Sequence, residues 1–333
     1  MKPIYIIGGG IAGITVAWQL YLRNIHFILI DQPYLSSSSK IAAGIMHPIT
    51  GRRVVKSWNA DTFIPFAKKF YKEIEVILNQ KLFFDTIINE YLDSIQQYNV
   101  WTERSGDVGY SDYIGNISNS TLYNSKFKAE VINTGWLDTK KFIESSINYF
   151  QIKNYIQVDH IIDKEITTLA MSHVIIDCRG WLASQSSLWS HLPWQPAKGE
   201  IMIIESASLK TSNIENKNVF IQSIGENKYK VGSTYAWDKL NDLASKAALD
   251  KLMMAVRSMI GNDYVILEQL AGVRPATRDR RPFIQKHEKY QIYILNGLGA
   301  KGIMMAPYLG KLLASVIIGD PLANQIISSE YCR

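Results

Sequence analysis

The chain has 333 residues, 36 Lys and Arg against 30 Asp and Glu, a formal net charge of +6, and a composition that is 47% hydrophobic and 20% charged. That balance excludes a disordered, collagen-like or low-complexity chain, and at about 150 residues per domain the length predicts two domains rather than one helical bundle. The basic excess is dispersed, with small clusters at Gly51-Arg52-Arg53 and Arg278-Asp279-Arg280-Arg281, which argues against a dedicated polyanion binder while leaving such a partner open.

Two cysteines, Cys178 and Cys332, stand far apart in the sequence. Neither a disulfide framework nor a metal site is expected from them, and the chain reads as cytoplasmic. Residues 1–7 run straight into Gly8-Gly9-Gly10 without the long apolar region and cleavage site of a signal peptide. The apolar stretch over 302–319 contains Pro307 and Lys311 and falls short of about 20 clean residues, so it predicts a buried helix rather than a membrane span.

In chain order, residues 3–7 are a β-branched and aromatic run ending in glycines, and Ile14, Ala17, Trp18, Tyr21 and Leu22 then recur at helical spacing. Residues 26–30 form a second, almost wholly apolar strand closing on Asp31, as in a parallel sheet covered on both faces. The first thirty residues are thus a βαβ unit. A polar, small-residue connection from Ser36 to Gly44 leads to an amphipathic helix over 60–79 with Phe63, Phe66, Phe70, Ile74 and Ile77 on one side. Segments 81–101 and 107–132 predict antiparallel strands and loops. A helix N-capped by Asp138 follows, then a buried strand over 174–176, strands over 200–204, 219–221 and 229–232, and a helix over 240–260. The last third returns to the opening pattern with a strand over 292–295, a glycine-rich turn and a long helix over 303–318. The predicted fold class is α/β. A doubly wound, Rossmann-like cofactor domain is assembled from 1–80, 136–195 and 276–333, and a substrate domain from 81–135 and 196–275 carries a mixed, largely antiparallel sheet.

Gly8-x-Gly10-x-x-Gly13 follows the first strand, opens the helix, and is followed by Asp31 eighteen residues beyond Gly13. The first glycine turns sharply, the second admits a pyrophosphate, and the third lets helix and strand pack closely. The helix N-terminus presents unpaired N–H groups to phosphates, and Asp31 can accept from ribose hydroxyls. FAD is favoured over NAD by a second glycine-rich strand-to-helix turn, Asn296-Gly297-Leu298-Gly299-Ala300-Lys301-Gly302, which aims another helix N-terminus at an acceptor or anion. FAD is long enough to need both turns; a plain capping turn is the alternative reading of the second. In Gly272-Val273-Arg274-Pro275, Arg274 either grips a carboxylate bidentately or forms a structural ion pair.

These blocks resemble the FAD-dependent D-amino-acid oxidase superfamily, especially its glycine oxidase and sarcosine oxidase branch. The resemblance spans nearly the whole chain in order: Gly8 to Gly13 with Asp31, the segment from Ser36 to Gly44 before Met46, Gly135-Trp136-Leu137-Asp138, Ile175 to Trp181, Pro196-Ala197-Lys198-Gly199-Glu200, Val231-Gly232-Ser233-Thr234, Gly272 to Asp279, and Gly297 to Pro307. A similar set occurs in the C-terminal oxidase domain of the bifunctional enzyme that matures the tRNA wobble uridine.

The resemblance implies non-covalent FAD held by Gly8, Gly10, Ile11, Ala12, Gly13, Asp31, Ser38, Ser39, Ala43, Gly44, Met46 and Gly180, and by Gly297, Gly299, Ala300, Lys301, Gly302 and Ile303. It implies oxidation of the C–N bond of a small amino acid or N-alkyl amino acid by hydride transfer to flavin N5, giving an imine that hydrolyses, with O2 or another acceptor taking the electrons. Such chemistry needs orientation and charge stabilisation rather than a strong general base. Arg274 matches the arginine that grips the substrate carboxylate. Lys301 falls where its ammonium, or the N–H groups of Gly302 and Ile303, would stabilise the reduced flavin, with a solvated surface lysine as the other reading. His47 either touches substrate or is structural. Three positions depart from the family or from its covalent members: Asp31 stands where the family usually has Glu; Ile41, before Ala42-Ala43-Gly44, stands where histidyl-flavin relatives have their linked histidine; and Cys178 reads as core rather than a flavin link. Other readings stay open on the same fold: oxidation of a tRNA wobble-uridine side chain, with Arg52, Arg53, Arg278, Arg280 and Arg281 meeting phosphates; a 2-hydroxy-acid or polyol-phosphate dehydrogenase; and a flavin-binding interaction protein without turnover.

Overall fold

The computed structural model describes residues 2–32 and 37–331, so Ser36 of the polar connection and Cys332 lie outside the described residues. Its first sheet has six strands in the order Phe283–Lys286, Ile292–Asn296, Val174–Asp177, Ile4–Ile7, Phe27–Asp31 and Ile156–Val158. All neighbours are parallel except the first pair. Ile4 lies opposite Val174 on one side and Phe27 on the other, so the first strand of the chain is central to the sheet. Its residues Ile4, Ile6 and Ile7 are all buried, the signature of a sheet covered on both faces.

Helix Ile11–Tyr21 packs against helix Gly302–Ile317, whose Gly310 would place a Cβ only 3.4 Å from Thr15. Trp18, wholly buried, donates Nε1 to Ser146 Oγ at 2.8 Å on helix Thr139–Ile152. Tyr71, on helix Ala60–Leu78, donates its hydroxyl to the Ile303 carbonyl at 2.7 Å. Each fully buried phenylalanine here, such as Phe27, Phe63 or Phe150, contributes about 1.5–3 kcal/mol. These contacts fix the N-termini of two helices against one end of the parallel sheet.

The second sheet has nine strands. Its path runs Val265–Arg274, Ala197–Glu205, Lys228–Gly232, Phe220–Gly225, Ile214–Asn216, Phe83–Leu92, Phe127–Leu137 and Ile45–Met46, with Ile114–Asn119 also pairing Phe127–Leu137. Only the pair of Ile214–Asn216 with Phe83–Leu92 is parallel, so this sheet is mixed and largely antiparallel and the molecule has the predicted α/β class.

Several elements differ from the sequence reading, which also names none of Ile156–Val158, Asp163–Leu169, Phe283–Lys286 and Pro321–Glu330. Ile95–Ser105 is a helix inside a region read as strand and loop, started by a capping box in which Ser94 Oγ accepts from Gln97 N at 3.2 Å. The helix expected over 240–260 begins only at Lys246, because Ser245 caps it, and residues 233–245 are irregular. Arg274 ends a ten-residue strand whose exposed Val265, Leu267 and Glu268 hid its alternation. Among the described residues, no helix is long and apolar enough to cross a membrane.

Candidate active site

The glycine turn is built by close backbone packing. Gly8 has φ of +104°, and a Cβ there would meet the Cys178 carbonyl oxygen at 2.7 Å; at Gly13 a Cβ would stand 1.9 Å from the Gly8 oxygen. Only glycine at both positions lets the strand turn directly into the helix. Gly9 N donates to Asp31 Oδ1 at 2.8 Å, which seats Asp31 beneath the turn. Ile11 N donates to Ser39 Oγ at 3.1 Å, so the short helix Ser38–Ile41 folds against the same place. The cap residue Gly10 has no side chain to cap the helix, so beyond Ile11 the N–H groups of its first turn stay open for an anion.

A cavity of about 1940 Å³ extends from this turn to the second sheet. Gly8, Gly10, Ile11, Ala12, Asp31, Ser38, Ser39, Ala43, Gly44, His47, Gly180, Arg274, Gly297, Gly299, Ala300, Lys301, Gly302 and Ile303 all line it. Gly13 and Met46 do not: Gly13 packs behind the turn, and Met46 is wholly buried because strand alternation gives the cavity Ile45 instead. The volume exceeds the roughly 300–1,000 Å³ of an ordinary small-ligand pocket. With two glycine cradles along one cavity, each of which side chains would crowd, the lining fits an extended dinucleotide.

At the far end stands Arg274. Its guanidinium donates to Ser233 Oγ at 2.8 Å and to the Thr234 carbonyl at 3.3 Å, lies 4.2 Å from the centre of the Tyr235 ring, and crosses Gly199, where a Cβ would come within 2.1 Å. None of the ion pairs among the described residues involves it. Burial pulls its pKa below the ordinary arginine value, as expected for a cation that has lost water without gaining a counter-ion.

Lys301 is not a solvated surface lysine. Its Nζ donates to the His47 carbonyl at 2.9 Å and to Ser57 Oγ at 2.6 Å, and burial, followed by the nearby Arg280, lowers its pKa to about 8. His47 in turn is not isolated: Nε2 lies 2.8 Å from Glu90 Oε1, and Asn216 Nδ2 donates to the same oxygen at 2.7 Å. Sequence reasoning missed Glu90 and Asn216, which no local pattern links to His47. It also missed Tyr235 and Trp237, exposed aromatics that line the cavity just after the Val231-Gly232-Ser233-Thr234 block. Cys178 is buried in the core, and burial pushes its thiol pKa well up. Arg52, Arg278 and Arg280 line the cavity mouth and are exposed, as are Arg53 and Arg281.

A doubly wound sheet, two glycine turns on one long cavity and a second sheet ending in an uncompensated cation are the build of a dinucleotide-dependent oxidoreductase. The chain belongs to the FAD-dependent oxidoreductase family (DAO), which it matches over residues 4–316, and it is accordingly an FAD-dependent oxidoreductase. It is 27% identical over 138 residues to glycine oxidase of Bacillus licheniformis, covering 40% of this chain and 37% of that protein. It is 23% identical over 382 residues to the tRNA 5-methylaminomethyl-2-thiouridine biosynthesis bifunctional protein MnmC of Leptospira borgpetersenii serovar Hardjo-bovis (strain JB197), covering 96% of this chain and 58% of that one. The chain therefore matches well under two thirds of the length of these curated relatives. Among solved structures, glycine oxidase from Bacillus cereus ATCC 14579 superposes with a TM-score of 0.83 at 15% identity, over 100% of this chain and 99% of that one, which shows a shared fold.

Proposed function

We propose that this oxidoreductase acts on the C–N bond of a small amino acid or N-alkyl amino acid, giving an imine that water hydrolyses. The observation that carries the reading is Arg274, a guanidinium facing the cavity with no carboxylate partner among the described residues. A substrate carboxylate supplies the missing counter-ion and fixes the α-carbon in one orientation. Bound FAD supplies the two-electron acceptor for the hydride. Gly8, Gly10, Ile11 and Ala12 would hold its pyrophosphate, Asp31 its ribose, and Ser38, Ser39, Ala43, Gly44, Gly180 and the turn from Gly297 to Ile303 the remainder. Lys301, pinned by His47 and Ser57, places a fixed positive charge in the same wall, a preorganised stabiliser of negative charge. The glycine oxidases among the relatives support a small amino acid substrate.

The test is the visible spectrum of the purified protein, recorded anaerobically before and after adding glycine, sarcosine, D-proline and further N-methyl amino acids. Bleaching of oxidised-flavin bands by one of these is expected; bands that persist through the panel overturn the reading. A second reading is favoured by the exposed arginines Arg52, Arg53, Arg278, Arg280 and Arg281, none of which enters an ion pair among the described residues. It holds that the amine hangs from a tRNA wobble uridine and the rim meets phosphates. Bleaching by undermodified tRNA rather than free amino acids, with binding that weakens steeply with salt, would select it.

A further inference from the structure

The block Pro196-Ala197-Lys198-Gly199-Glu200 meets the cavity through Ala197 and Gly199, with Gly199 beneath the Arg274 guanidinium. It lies on strand Ala197–Glu205, where Ala197 sits opposite Arg274 and Gly199 opposite Gly272. Lys198 and Glu200 are 5% and 3% exposed, with Lys198 Nζ 3.6 Å from Glu200 Oε1. Both charges bond to one irregular segment, residues 233–245, and Glu200 also to Gln269 on the neighbouring strand. Lys198 Nζ donates to Asn241 Oδ1 at 2.9 Å and to the Leu243 carbonyl, while its backbone exchanges hydrogen bonds with Ala236 at 2.8 and 3.0 Å. Glu200 accepts from Ser245 N at 2.8 Å, Ser245 Oγ at 2.7 Å and Gln269 Nε2 at 2.9 Å, and its backbone N donates to Thr234 Oγ1 at 3.0 Å.

That segment covers Arg274. Ser233 and Thr234 accept its two protein hydrogen bonds, the Tyr235 ring lies against its guanidinium, and Trp237, 61% exposed, continues the cavity wall. Burying two charges costs more than burying apolar residues of the same size, so a plain tie between strand and loop gives no reason for them. Gly199, between the two, supplies the reason: its missing side chain is the space the guanidinium occupies. Three consecutive residues therefore act on one cation, the glycine by clearing its plane and the flanking charges by fixing its cover with strong, charge-assisted hydrogen bonds.

We infer that Lys198, Gly199 and Glu200 are positioning residues that hold Arg274 and residues 233–245 as a fixed anion-binding mouth, so that affinity for the substrate carboxylate depends on them. The inference rests on reading Arg274 as the carboxylate grip. Glu200→Gln strands the buried Lys198 charge and endangers folding, so the loop-side variants Asn241→Ala and Ser245→Ala carry the test, with Gly199→Ala beside them. FAD-loaded wild type and variants are titrated with acetate and benzoate, following the flavin absorbance, and digested briefly with trypsin, whose cut after exposed Lys239 reports release of the segment. The variants are expected to bind carboxylate about tenfold more weakly, the size of effect that misaligning one charged hydrogen bond from Arg274 to the ligand would have. Asn241→Ala and Ser245→Ala should also be cut faster and raise KM more than they lower kcat, and Asn241→Asp, which keeps the acceptor, should restore both. A structural tie alone would lower Tm and leave the carboxylate Kd unmoved. If wild type binds carboxylate and the loop variants match it, the positioning role is overturned and the Arg274 reading stands; if wild type binds none, both fall.

Discussion

Replacing Arg274 with methionine separates a substrate grip from a structural arginine. A guanidinium has five N–H donors, and here two serve the protein, through Ser233 and Thr234, leaving the others for a ligand. Two charge-assisted bonds to a carboxylate at about 1.5–3 kcal/mol each give roughly 3–6 kcal/mol of binding, or on the order of 10²- to 10⁴-fold in kcat/KM. Arg274→Lys keeps the charge but not the fork and should fall between wild type and Arg274→Met. Stability should change little. Arg274 is a desolvated cation without a counter-ion, so Arg274→Met should lower Tm by no more than about 2 °C, whereas losing one partner of a buried ion pair would cost several kcal/mol. The assay is anaerobic flavin reduction by stopped flow, with a carboxylate substrate and a simple amine lacking that group. Retained kcat/KM for the carboxylate substrate, or an equal loss for both amines, would refute the reasoning.

Other outcomes follow from the same geometry. Lys301, at about 8 instead of 10.5 through burial and then Arg280, binds its proton less tightly folded than unfolded. Folding is therefore penalised by roughly 3 kcal/mol below pH 8, and the penalty fades as the pH rises toward 10.5. Lys301→Met should accordingly gain Tm relative to wild type at pH 7, with the difference shrinking as pH is raised; a difference independent of pH contradicts the burial argument. Gly13→Ala puts a Cβ 1.9 Å from the Gly8 oxygen and should yield protein without flavin bands, checked by the absorbance ratio after purification. Neutralising the exposed Arg52, Arg53 and Arg278 together should leave turnover of a free amino acid within about threefold, as exposed charges add little. A collapse of that turnover would show that the rim takes part in binding the small substrate.

What was legible in the sequence was whatever acts over a few residues. Gly8, Gly10 and Gly13 answer to contacts inside one strand–turn–helix unit, and Asp31 reaches Gly9 from the next strand, so spacing alone exposed them. The second glycine turn, with Lys301, was legible for the same reason. Partnerships made by sheet register were not. Glu90 and Asn216 reach His47 from two different strands, and nothing near His47 announces them. The start of helix Ile95–Ser105 was readable in principle from Ser94 and Gln97, but its short, mostly polar surface masked the period. That Met46 lies off the cavity wall and Ile45 on it was not legible, because a two-residue strand shows no alternation until its partner Phe127–Leu137 is known. The motif around Arg274 was visible, yet the loop that holds its guanidinium lies about forty residues earlier.

The central strand Ile4–Ile7 leaves the ribosome with only one of its two neighbours, Phe27–Asp31, close behind. Its other neighbour, Val174–Asp177, and the strand beyond that, Ile292–Asn296, arrive far later. At about 5–20 residues per second, the interval between Asp177 and Ile292 alone is roughly 6 to 23 s. Throughout it, the parallel sheet has an open, apolar edge, and the helix Gly302–Ile317 that covers Ile11–Tyr21 does not yet exist. The nascent chain is thus obliged to wait half-built, a state suited to capture by chaperones, and truncation anywhere before Ile317 should yield insoluble protein rather than a smaller flavoprotein.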